Sequence, residues 1–165
     1  MNHFHKPMRC PISPVPPKDA HKLGDAVSDA RDAAMAARVA AWNKYVPAQE
    51  TYASDVVRYE AGLSAWNSQK DTMQEPDKTN CFNALTSAYT ALGSESNKIN
   101  NAYGHAAAGD TAVTNGDNAQ NQQQKIMYYN NAKDHFNVCG TASDEAATPH
   151  GTFAGFMTTA ESYLT

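Results

Sequence analysis

Strong hydrophobes are scarce in this chain. Ile, Leu, Val and Phe together supply 21 of its 165 residues, below the ~20% at which a highly charged chain is read as disordered. Charge is scarce as well: charged residues are 18% of the chain and the net charge is −4. Self-repulsion therefore cannot hold the chain open. The two shortages together exclude a thick Leu-rich core and a solvated polyelectrolyte.

Basic residues are scattered. Beyond Lys6, Arg9 and Lys18 no cluster forms at either end, so no basic stripe arises and no nucleic-acid partner is expected. There is no run of 18 apolar residues, which excludes a membrane-spanning helix from the expectation. The first residues, MNHFHKPMRCPISPVPPKD, lack an apolar h-region and do not read as a secretory signal. No Asn-x-Ser/Thr sequon is present.

The sequence patterns of familiar chemistry are also missing. There is no GxGxxG, GxxxxGK[ST] or GxSxG, no CxxC or HExxH, and no haem-attachment sequence. Glu50, Glu60 and Glu75 make no Glu-x-x-His pattern, so a di-iron bundle site is not supported. His21, His105 and His150 are separated and lack adjacent nucleophiles. The expectation is a protein with no cofactor, no small-molecule substrate and no enzymatic activity.

What is abundant is Ala, with 28 residues, and Tyr, with eight. Ala is the best helix former, and the chain reads as all-α: an elongated helical bundle of about four helices behind a Pro-rich arm. Residues 1–17 hold Pro7, Pro11, Pro14, Pro16 and Pro17, a density that forbids a regular helix and predicts an extended arm. Helices are expected at about 18–74, kinked at Pro47, and at 77–103 and 116–139, within a bundle of residues 18–140. Residues 141–165 are expected to be a loop followed by a short amphipathic helix.

The first helix carries Tyr45, Tyr52, Tyr59, Trp66 and Met73, each seven residues from the next. A 3.5-residue period implies helix pairing with mild left-handed supercoiling. Val56 and Leu63, with Gln49 and Lys70 at the ends, are assigned to the complementary seam position. Large rings there would cover partner helices built mainly of Ala, with their hydroxyl or N–H reaching water or a carbonyl. A second run sets Phe82, Tyr89 and Tyr103 on one line and Leu85, Leu92 and Ile99 on another. The stretch GHAAAGDTAVTNGD, residues 104–117, is expected to be a connection, with Asn115-Gly116 as its strongest turn signal. Ile126, Tyr129, Ala132, Phe136 and Cys139 follow at helical spacing, and Gly140 is a natural stop. The last helix would carry Phe153, Phe156, Met157, Ala160, Tyr163 and Leu164 at helical spacing, with Thr152 as its cap.

Three cysteines are present. A hairpin closing near residue 110 would set Cys81 and Cys139 at the same height, so a Cys81–Cys139 disulfide is expected, contributing about 4 kcal/mol on the chain-entropy model. It would imply an oxidising setting and leave Cys10 over. A rival use of the same residues is zinc, with His135, Cys139 and Cys81 as three ligands. His3, third from a free amine, is a second weak metal candidate, suited to Cu(II) or Ni(II).

The leading expectation is a structural protein that assembles with itself or with other structural proteins in a particle such as a virion, filament or sheath. Tyr45, Tyr52, Tyr59, Trp66, Met73, Phe153 and Phe156 are its candidate packing and interface residues. The alternative is a helical binding module that offers an amphipathic helix or an inter-helix apolar pocket to a partner or ligand.

Overall fold

A computed structural model describes residues 21–165. The Pro-rich arm, with His3 and Cys10, lies outside the described residues. Four helices follow in order: α1 His21–Gln69, α2 Asp77–Asn118, α3 Gln122–Glu145 and α4 Ala147–Tyr163. No strand occurs among the described residues, and the chain is an all-α bundle.

Only Ala146 separates α3 from α4, and its φ of −64° and ψ of −21° are helical. The Ala146 N–H donates to the Ala142 carbonyl and the His150 N–H to the Ala146 carbonyl. Pro149 has no N–H to give the Glu145 carbonyl, which accounts for the break at this point. The pair α3–α4 thus forms one long arm, and the molecule is three arms running up, down and up. The pairs Arg31–Asp117, Arg38–Asp110 and Trp66–Phe82 fold α1 onto α2 about the 70–76 turn. Tyr129–Asp117, His105–His135 and Lys98–Glu145 fold α2 onto the third arm about residues 119–121. At ~1.5 Å rise per residue each arm is roughly 60–75 Å long.

The second turn is not where the sequence suggests. Residues 104–117 are helical, because Gly109 and Gly116 serve close packing and not a turn. A Cβ on Gly109 would meet the Phe136 ring at 2.5 Å, and one on Gly116 the Tyr129 ring at 2.5 Å. The chain reverses over Ala119, Gln120 and Asn121 instead. Asn121 caps α3 by accepting from the Gln123 and Gln124 N–H groups. The expected loop at 141–151 is likewise helical. Gly140 is buried inside α3 beside Lys44 and Ala41, and Thr152 sits within α4, its hydroxyl donating to the Thr148 carbonyl. At Pro47, α1 continues without a break.

That shift of the turn removes the disulfide. Cys81 and Cys139 are both free and buried. Cys81 lies against the Ala160 carbonyl, 3.6 Å from its sulfur. Ala160 is 21 positions beyond Cys139 on the same arm, so the two thiols are separated by about 30 Å along the bundle. The oxidising setting inferred from the bond falls with it, and so does the Cys81–His135–Cys139 zinc set.

Every arm keeps a seven-residue core line. On α1 the rings Tyr45, Tyr52, Tyr59 and Trp66, followed by Met73 in the turn beyond it, are buried or half-buried inside the chain. Of the assigned seam residues, Val56 packs against the core, but Leu63 is 37% exposed. The inner line is one residue earlier: Ala34, Ala41, Ala48, Asp55 and Gly62. On α2 it is Cys81, Ala88, Glu95, Ala102, Gly109 and Gly116, all buried. On the third arm it is Tyr129, Phe136, Ser143, His150 and Met157. Small residues on one arm face rings on another, so backbones approach closely and a chain poor in Leu and Ile still fills its interior.

Candidate functional site: a buried polar layer

Three of those inner lines are interrupted once by an ionisable group, and the interruptions coincide. Asp55 from α1, Glu95 from α2 and His150 from α4 meet at one level. One side-chain donor atom from each lies within 4.8 Å of the others. The apolar core splits there into two clusters. One contains Tyr45, Ala102, Tyr129, Phe136 and Cys139, the other Trp66, Cys81, Leu85, Phe153 and Met157. Tyr52 packs against both.

Asp55 is 5% exposed and Glu95 1%. The Asp55 Oδ2 and His150 Nδ1 atoms are 2.5 Å apart, with His150 reaching in from the surface. Burial pushes the Glu95 carboxyl up to about 8, helped by its hydrogen bond to Asp55 and by the charge on that neighbour. The Glu95 Oε2 atom is fully buried and has no hydrogen-bond partner. Beside the layer is a cavity of about 160 Å³, walled by Pro47 and Thr51 of α1, Ser143 of α3, and Glu95 and His150 themselves. It has room for a few waters. The Ser143 hydroxyl is committed to the Cys139 carbonyl. The layer therefore offers two carboxyl groups and one imidazole nitrogen but no activated hydroxyl, a set suited to proton sharing or cation ligation.

Residue spacing carried a signal for this layer that the choice of seam position on α1 hid. With Val56 and Leu63 as the seam, Asp55 falls outside it. With the line moved back one residue, Asp55 stands among alanines and a glycine, where a carboxylate is conspicuous. Glu95 stands the same way among Cys81, Ala88, Ala102 and Gly109.

The other candidate residues are dispersed. Phe153 is buried, while Phe156 is 37% exposed and lines an open groove of about 770 Å³ between α2 and α4. Ala91, Pro149 and Phe156 give that groove apolar walls. Its Thr90, Ser94 and Thr152 hydroxyls donate to carbonyls of their own helices, so they present mainly carbon to it. His135 pairs with His105, their Nδ1 atoms 3.0 Å apart. On the outside of α2, Phe82, Tyr89 and Tyr103 are 54%, 63% and 37% exposed. Phe82 tilts over Trp66 and Tyr89 over Tyr59.

At the far end of the bundle, the Arg31 Nε donates to Asp117 Oδ1 at 3.1 Å. The Tyr129 hydroxyl donates to the same oxygen at 2.7 Å. Among the described residues no helix is long and apolar enough to cross a membrane. No family model, curated protein or solved structure matches this chain.

Proposed function

We propose that this chain is a non-enzymatic helical rod that forms or decorates a larger particle, whether virion, filament or sheath. The inner aromatic ladder is buried or half-buried within the chain, so the outer face is the better candidate for the interface. The observation that carries the reading is the outer α2 row of Phe82, Tyr89 and Tyr103, with Tyr89 63% exposed. Exposed rings in a chain with only 18% charged residues match the aromatic enrichment of protein–protein interface cores. A rod roughly 60–75 Å long offers such a row to neighbours lying alongside. Light scattering over a dilution series tests this. Concentration-dependent assembly that a Phe82→Ser/Tyr89→Ser variant reverses supports it; a monomer at every concentration overturns self-assembly.

The groove of about 770 Å³ favours a second reading, a helical binding module that takes an apolar ligand or a partner helix between α2 and α4. Filling the groove with Ser94→Trp, at an exposed groove residue, would abolish such binding and leave assembly through the outer α2 row intact.

A further inference from the structure

We propose that Asp55, Glu95 and His150 form a binding site for one divalent first-row transition-metal cation, of the Zn²⁺ or Mn²⁺ class, at the middle of the bundle. Donors on a common zinc ion at 2.0–2.2 Å stand about 3–4 Å apart. The three donor atoms here already lie within 4.8 Å of one another, so closing on an ion requires shifts of less than about 1 Å. Each comes from a different arm, and each occupies a core line whose other members carry no charge.

Two observations distinguish this from a cluster of acids. Both carboxyl groups are buried, Asp55 at 5% and Glu95 at 1% exposure. Burying two carboxylates side by side is costly unless a cation or protons neutralise them. Second, the Glu95 Oε2 has no partner, and buried polar oxygens are rarely left so. An ion between Glu95, Asp55 and His150 satisfies that oxygen and replaces the proton-mediated contacts of the layer.

Donor chemistry selects the ion. One imidazole nitrogen with two carboxylates suits Zn²⁺, Mn²⁺, Fe²⁺ or Co²⁺. The lack of thiolate disfavours Cu(I), and three donors including a nitrogen are a poor match for Ca²⁺, which takes six to eight oxygens. The cavity of about 160 Å³ beside Glu95 and His150 leaves space for water to complete the coordination. The ion would tie α1, α2 and α4 together where the apolar core is interrupted. The competing account is a metal-free polar layer that only sets the register of the arms, as single polar seam residues do in coiled coils.

The full chain, carrying His3→Ala and His5→Ala so that the N-terminal histidines contribute nothing, is stripped with EDTA. It is then titrated calorimetrically with Zn²⁺ and, separately, Mn²⁺, with circular dichroism confirming the fold. The expected result is one equivalent of Zn²⁺ per chain and a rise of several degrees in Tm. Glu95→Gln should weaken binding at least tenfold, and so should His150→Ala. The His150 variant keeps the test valid if Glu95→Gln unfolds, because it removes a ring at the edge of the layer. His105→Ala should leave binding unchanged. The proposal is overturned if the folded protein binds neither ion. It is equally overturned if binding survives both Glu95→Gln and His150→Ala, or if His105→Ala removes it.

Discussion

A Cβ placed on Gly109 would stand 2.5 Å from Cε1 of Phe136, a ring that is itself buried. The ring is buried, so this glycine, like Gly116 against Tyr129, is a point where the two arms pack closely.

Gly109→Ala is therefore expected to destabilise the fold by about 1–3 kcal/mol through overpacking, despite the better helix propensity of Ala. Gly93 is the control. It is in the same helix, is exposed, and has nothing within 4 Å of an added Cβ. Gly93→Ala should stabilise by about 0.5–1 kcal/mol. Urea denaturation of the two variants should shift the midpoint in opposite directions.

The polar layer makes stability depend on pH in a definite sense. Glu95 titrates at about 8 in the fold against an ordinary 4.5, so between these values the folded chain holds a proton that the unfolded chain has released. Stability from this group is full below about 4.5 and is lost as pH rises through about 8. Asp55 and His150 face it from α1 and α4. With chelator present, raising the pH from 5 to 8.5 should cost on the order of a few kcal/mol. Glu95→Gln should remove most of that slope, as read by denaturant titration at each pH. An equal slope in the variant would place the proton elsewhere.

Both described cysteines should be inert in the native state. Burial raises the Cys81 thiol and pushes Cys139 up to about 11, and the thiolate is the reactive form. In a Cys10→Ser background, a thiol reagent at pH 8 should label neither residue until denaturant is added, and then label both. Intact mass should not change on reduction. A gain of two hydrogens would restore the disulfide and contradict the register of the second hairpin.

Polar pairs should divide by burial. Tyr129 is 2% exposed, and its hydroxyl, pushed up to about 12 by burial and by its bond to Asp117, shares that carboxylate with Arg31. Tyr129→Phe should cost about 1 kcal/mol. The Lys98–Glu145 pair has side chains 42% and 50% exposed, so Lys98→Ala should change stability by less than about 1 kcal/mol. Thermal melts of the two variants, with and without added salt, provide the comparison.

The local part of this structure was written in the chain. Ala-rich composition and a seven-residue spacing of rings are properties of one helix at a time, and they determined an all-α architecture with Tyr45, Tyr52, Tyr59 and Trp66 on one face. What they did not determine is the register of one arm against another, which depends on which small residue stands opposite which ring. Gly116 reads as a turn beside Asn115 and becomes a packing glycine only because Tyr129 arrives against it. Moving the reversal from near residue 110 to residues 119–121 separates Cys81 from Cys139 and, through the same register, brings Glu95 to His150, while the 70–76 turn brings Glu95 to Asp55. Those three residues are distant in sequence; each stands out on its own core line, but no local pattern joins one line to another. Their meeting is decided by close packing of whole arms, where each ring needs a glycine or alanine across from it.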